Sequence, residues 1–294
     1  MSAADEVRDW EAGGRRLRAH GRSVWMLDVP AADDRGLDPL LALHGFPSSS
    51  FDWRHVLGAL RAHRRVVALD FLGFGLSDKP DLRYSMRLQA DVVEAATRDL
   101  GLSSVALLTH DMGDTVGGEL LARSLEGTLP FAVSRRVLTN GSIYIDTAQL
   151  TTGQQLLLSL DDAPVDLVTA EGFKAGLAGT FSRASSVGEA ELDAQWLLAE
   201  RNAGHRLLPR TIRYIEDRRA EERRFTGAIE THPSPLAVVW GADDPIAVVA
   251  MAAELRRARP DAQVTILDGV GHYPMIEAPD RFAAAVVAAL ERAP

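Results

Sequence analysis

Short apolar runs alternate with amphipathic stretches along most of the chain. The runs are Leu40–Leu43, Val66–Leu69, Val105–Leu108, Val137–Leu138, Leu236–Trp240 and Val264–Leu267. Most end in small or polar residues: His44-Gly45, Asp70, His110-Asp111, Asn140-Gly141, Gly241 and Asp268-Gly269. Runs this short and rich in Val, Ile and Leu suit strands buried on both faces. Between them, Ser85–Leu100 and Gly113–Leu125 carry a helical period. The alternation predicts an α/β architecture, a mostly parallel central sheet with helices on both faces. In such sheets chemistry collects at the carboxyl ends of the strands, where the polar residues just named fall.

Between Ser142 and about Phe225 the rhythm breaks. Helical patterns follow one another at Gln154–Leu160, Glu171–Thr180, Glu189–Asn202 and Pro209–Arg223. We read residues 142–225 as a helical cap inserted over the strand ends, with residues 1–141 and 226–294 forming the core domain. The arginines Arg218, Arg219, Arg223 and Arg224 are interleaved with acids, which predicts a solvated helix face with i,i+4 pairs.

The segment from Val105 to Gly118 reads as strand, sharp turn, helix. Thr109 and Gly113 flank Asp111 at two residues on either side. That is the nucleophile-elbow spacing, with Asp where hydrolases more often carry Ser. A capping Asp at a helix start is the competing reading. An earlier strand ends in His44-Gly45-Phe46-Pro47, whose turn would bring the Phe46 N–H beside the elbow. With the Met112 N–H it would make an oxyanion hole. The Gly-rich stretch Asp70–Pro80 lacks phosphate-loop spacing and reads as a structural loop under the site. Asp243 and Asp244 both follow a strand, and His272 lies in the loop after the last one. Nucleophile, acid, His is the chain order of α/β-hydrolase triads.

Composition narrows the rest. The chain has 294 residues, no cysteine and a formal net charge of −9. Thiolate chemistry and Cys-based metal sites are excluded, and we expect no metal and no cofactor. The negative charge disfavours nucleic acid and anionic membrane surfaces. The first 30 residues are charged and lack a signal-type apolar stretch, so a cytoplasmic location is expected. A homodimer is compatible with this reading.

At these residues the chain resembles the α/β-hydrolase family, in its epoxide hydrolase and haloalkane dehalogenase branch. Asp70–Pro80 and His110-Asp111-x-Gly113-Asp114 look most like the mesoderm-specific transcript-like proteins of that branch. The resemblance implies Asp111 as nucleophile and His272 as base. It implies Asp244 over Asp243 as charge partner, since Asp244 holds the family's Gly-x-x-Asp-Pro place after Gly241.

A carboxylate is a poor nucleophile toward carbonyls but works at a saturated carbon bearing a leaving group. The expected product is an alkyl ester on Asp111, which water activated by His272 then hydrolyses. The substrate is therefore a small apolar epoxide or organohalide. Departing halide needs N–H donors, and neither Phe46 nor Met112 offers one from its side chain. Departing alkoxide needs an acid, and the resemblance places a cap tyrosine near Tyr214. Tyr144, Trp196, His205 and His44 are further candidates for the substrate pocket. The expected activity is epoxide hydrolysis. The alternatives are hydrolytic dehalogenation, or ligand binding without catalysis.

Overall fold

The computed structural model describes residues 2–291. Eight strands form one sheet: β1 (Arg15–Ala19), β2 (Arg22–Val29), β3 (Leu40–Leu43), β4 (Val66–Leu69), β5 (Ser104–His110), β6 (Ala132–Thr139), β7 (Leu236–Gly241) and β8 (Gln263–Leu267). Their order across the sheet is β1-β2-β4-β3-β5-β6-β7-β8. The pairs β1/β2 and β2/β4 are antiparallel and the rest are parallel. Every residue of β3 and β4 is buried, as their unbroken apolar sequence predicts. The expected α/β sheet is therefore present, and all six apolar runs lie in strands.

The strand order positions the site. From β3 the chain passes to β4 on one side, then returns to β5 on the other. The carboxyl ends of β3 and β5 are thus neighbours at a topological switch point, in register from Leu40 against Ala106 to Leu43 against Thr109. Residues 46 and 111 are far apart in sequence and adjacent in space for this reason.

The hydrophobic runs did not contain the first two strands. β1 reads Arg-Arg-Leu-Arg-Ala and exposes its arginines as an edge strand does. Its hairpin turn, His20-Gly21, has φ of 49° and 75°, the pair of positive values a tight two-residue turn requires. Ahead of it lies a helix, Ala3–Gly13, with a Ser2/Asp5 capping box.

Helices Met86–Asp99 and Met112–Leu125 lie where the period predicts them. Between β6 and β7 come Thr152–Ser159, Ala170–Ala178 and Glu189–Glu200, again close to expectation. The single helix expected over Pro209–Arg223 is instead three pieces: Leu208–Thr211, Tyr214–Ala220 and Glu222–Thr231. The last packs on Met112–Leu125, so closely that a Cβ on Gly118 would stand 2.8 Å from the Phe225 carbonyl oxygen. The boundary expected at residue 225 therefore falls inside a helix that belongs to the layer covering the sheet. Of the arginine cluster, Arg219 and Arg223 are exposed as expected, while Arg218 and Arg224 are not. Arg224 binds Glu119 and Glu126, and Arg218 is buried against Thr115, because both point at the helix below.

The loop after β4 is tied to the loop after β3 by one buried carboxylate. Asp70 accepts the Ser50 N–H at 2.8 Å, the Ser50 hydroxyl at 2.5 Å and the Leu76 N–H at 2.7 Å. Gly75 has φ of 49°, and a Cβ there would collide with the Asp70 carboxylate at 2.2 Å. Removing the acceptor strands three buried donors. Asp70→Ala should lower unfolding stability by about 2–4 kcal/mol. A chemical denaturation midpoint within error of the parent would contradict the role given to this carboxylate.

Candidate active site

Asp111 occupies the turn between β5 and the helix Met112–Leu125, with φ 49° and ψ −112°. A non-glycine residue seldom adopts that backbone, and such strain clusters at functional sites. The turn is tight enough to dictate its neighbours. A Cβ on Gly113 would lie 2.5 Å from the Leu43 carbonyl oxygen, and one on Gly45 would lie 2.6 Å from the Asp111 Cβ. Only glycine fits at either place. This closeness lets the Phe46 N–H donate to Asp111 Oδ2 at 2.9 Å. Met112 begins the helix, so its amide is among the first N–H groups that have no intrahelical acceptor. The expected elbow and both donor positions are therefore brought together. Asp111 caps no helix N–H with its side chain, which removes the competing reading.

On the far side of β5, the loops after β7 and β8 close on one another. A Cβ on Gly241 would stand 2.1 Å from the Gly271 carbonyl oxygen. Asp244 Oδ1 accepts the N–H groups of Ile246 and Ala247 at 2.7 and 3.0 Å. Its Oδ2 accepts Asn140 Nδ2 at 2.7 Å and meets His272 Nδ1 at 2.8 Å. Asp243 is exposed. Geometry thus places Asp244, and not its neighbour, behind the imidazole. Burial opposes charge on His272, but Asp244 outweighs it, with smaller help from Asp111 and Asp52, and the ring is held above its ordinary value.

Asn140 is a site residue that the sequence reading passed over. It ends β6 with φ 48°, its carbonyl oxygen Oδ1 accepts the Gly241 N–H at 3.0 Å, and its amide fixes Asp244. The signal available was an Asn at a strand end in the same sheet layer as the other polar termini.

Two further histidines stay neutral and structural. Burial, with smaller effects from neighbours, brings His44 down to about 3 and His110 to about 4. His44 Nε2 accepts the Phe71 N–H at 3.0 Å and Nδ1 donates to the Gly45 carbonyl at 2.8 Å. It braces the loops beneath the site and does not line the cavity, contrary to expectation. His110 Nε2 donates to the His272 carbonyl at 2.8 Å and so anchors the loop that carries the base.

A cavity of about 230 Å³ meets this cluster at Phe46 and His272. Its floor is Phe46, His272 and Tyr273, and its walls include Leu157, Phe173, Leu177 and Leu208 from the helices between β6 and β7. The lining is almost wholly apolar. Tyr214 is buried near Asp111, its ring 5.8 Å from that of Phe46 and 5.0 Å from the Arg218 guanidinium carbon. Burial, then Asp111, raises its pKa above the ordinary phenol value, while Arg218 opposes them. Tyr273 was also overlooked. It lies directly after His272, stacks on Phe181 with ring centroids 5.5 Å apart, and donates to the Phe46 carbonyl at 3.1 Å.

Three expected pocket residues lie elsewhere. Tyr144 turns its hydroxyl to Glu230 at 3.0 Å, because it leaves β6 toward the helix Glu222–Thr231. Trp196 and His205 pack on each other at 5.4 Å, and Trp196 lies behind Phe173. The side chain of Phe173, and not that of Trp196, faces the cavity.

Comparison with known proteins agrees with this architecture. The profile of the alpha/beta hydrolase family matches residues 40–285. The chain is 42% identical to a putative hydrolase, LipZ, of Mycobacterium tuberculosis over 97% of this chain and 98% of that one. It is 37% identical to the mesoderm-specific transcript protein of Mus musculus, over 94% and 85%. It is 31% identical to a haloalkane dehalogenase of Mycolicibacterium paratuberculosis, over 83% and 81%. With its sheet order, its elbow and this breadth of similarity, the chain belongs to the alpha/beta hydrolase family.

Proposed function

We propose that this hydrolase opens epoxides to vicinal diols through an alkyl ester on Asp111. One observation carries the reading: a buried phenol, Tyr214, packs on Phe46, whose N–H donates to the carboxylate at the elbow, and lies close enough to Asp111 to be shifted by its charge. Attack by Asp111 on a ring carbon breaks the adjacent carbon–oxygen bond. The oxygen left behind needs a proton within reach of the carbon under attack, and Tyr214 is the acid so placed. The apolar cavity suits a neutral substrate of modest size.

The second half-reaction uses the other face of the site. His272, oriented by Asp244, removes a proton from water, and the water oxygen adds to the ester carbonyl. The Phe46 N–H already lies on an Asp111 oxygen and serves the tetrahedral intermediate formed there. The Met112 N–H is assigned the same role.

Hydrolytic dehalogenation is the second reading, favoured by the similarity to a haloalkane dehalogenase. Against it stand the side chains of Phe46 and Met112, which hold no N–H donor for halide. Parallel assays of diol formation and halide release separate the two chemistries. Diol from a terminal epoxide with no halide from matched organohalides is the expected result.

The two steps come apart in variants. Asp111→Ala should abolish turnover while remaining folded. His272→Gln should form the ester and stall, raising the intact mass by one whole epoxide, because ring opening loses no atoms. Peptide mapping should place that mass on Asp111. Turnover without any adduct in the His272 variant would mean that water attacks the epoxide directly.

The pH dependence of ester hydrolysis follows from the environment of His272. The base must be neutral to accept a proton, and Asp244 keeps its pKa above the ordinary 6.5. Single-turnover hydrolysis of the ester should therefore climb with pH, with a midpoint above 6.5. A midpoint below that value would assign the titration to another group.

A further inference from the structure

Arg218 is a buried cation that the reaction described above leaves without a task. Only 4% of it is exposed. Its Nε and Nη2 both donate to one neutral acceptor, Thr115 Oγ1, at 3.0 and 2.8 Å. Neighbouring arginines behave differently: Arg213 holds Glu216, and Arg224 holds Glu119 and Glu126. Among the described residues no carboxylate forms an ion pair with Arg218. Instead its guanidinium carbon lies 5.0 Å from the centre of the Tyr214 ring. Burying an unpaired guanidinium is costly, so a position like this calls for a counter-charge.

The groups around Tyr214 show where that charge can come from. Asp111 raises and Arg218 lowers the Tyr214 phenol, Arg218 lying 5.0 Å from its ring centre, and Tyr273 is near enough to feel Tyr214 in turn. Asp114, next to Thr115 on the same helix, has its carboxyl pushed well above the usual range by burial, against Arg218 and a hydrogen bond from Thr109. It forms no ion pair with Arg218. Tyr214 itself is the group that gains charge during the reaction.

We infer that Arg218 is a positioning residue for the leaving oxygen, stabilising the Tyr214 phenolate that forms as the epoxide opens. The inference rests on the epoxide reading given above. In that step the bond between an Asp111 oxygen and the ring carbon forms as the ring carbon–oxygen bond breaks. The electron pair stays on the epoxide oxygen, which takes the Tyr214 proton. Negative charge leaves Asp111, now a neutral ester, and appears on Tyr214. It has moved toward Arg218, so the buried cation favours the alkylated state over the resting one. Hydrolysis then restores the start. The water oxygen stays on Asp111. One water proton reaches the released alcohol through His272, and the other returns to Tyr214.

The test measures the rate of adduct formation by intact mass, using styrene oxide and the His272→Gln enzyme as parent. Arg218→Met should slow the adduct roughly 10²-fold, and Arg218→Lys should recover much of that loss. Tyr214→Phe should slow it comparably. The deciding readout is the double variant. Arg218→Met combined with Tyr214→Phe should be no slower than Tyr214→Phe alone, because the arginine acts only through the phenol. A merely structural arginine would give losses that multiply, and that outcome overturns the inference, as does an unchanged rate in Arg218→Met. Melting temperatures are recorded for each variant. If Arg218→Met does not fold, Arg218→Gln and Arg218→Lys carry the same cycle. If the parent itself forms no adduct, the epoxide reading fails and this inference falls with it.

Discussion

The backbone of Asp111 sets the terms for everything around it. A residue with φ 49° projects its side chain out of the end of the sheet, at the cost of local strain. The turn survives because the surrounding chain leaves it no alternative. Gly113 passes under the carbonyls of Leu43 and His44, and Gly45 passes over the Asp111 Cβ. The same closeness brings the Phe46 N–H to the carboxylate. The Asp111 carboxylate and the Phe46 N–H are thus placed by one steric constraint, and neither could be moved without the other.

Around that turn, burial sorts chemically identical side chains into different roles. Three histidines lie within the same small volume. His44 and His110 meet backbone groups and are driven to about 3 and 4, so they remain neutral struts. His272 meets Asp244 and is raised instead. The difference lies in what each ring faces, since all three are fully shielded from solvent. Asp244 in turn holds its orientation because two backbone amides and Asn140 occupy the rest of its lone pairs.

The helices over the site are fastened by a second set of buried polar groups. Asp52, which burial and then the nearby Glu191 raise to about 7, binds Ser48 beneath the cavity floor and Gln195 above, at 2.9 Å. Gln195 also reaches Glu191 at 3.0 Å. Burial works to raise Glu191, yet bonds from His55 and Arg54 bring it down to about 2. This polar seam joins the loop after β3 to the helix Glu189–Glu200. His272 is tied to the same layer by its own N–H, which donates to the Thr180 carbonyl at 3.0 Å. The position of the base therefore depends on the overlying helices as well as on the sheet.

Much of this was legible in the sequence, for local reasons. Runs such as Leu40–Leu43 can only be doubly buried strands, and the small residues around Asp111 announce a sharp turn wherever it lies. What escaped was either edge structure or partnership across the fold. β1 hid behind its arginines because an edge strand may be charged on one face. Asn140 and Tyr273 look ordinary until the loops after β6, β7 and β8 converge. Tyr144, Trp196 and His205 looked equally suitable for the cavity, yet they face other helices, because the direction of a side chain depends on how its helix is rotated against its neighbours. By itself, the sequence determined six of the strands, the elbow spacing around Asp111 and the chain order of Asp111, Asp244 and His272, since each follows from residues close together in the chain. Only the tertiary structure decided which side chains line the cavity, that Asn140 holds Asp244 and where Arg218 is buried, since those contacts join segments that only packing brings together.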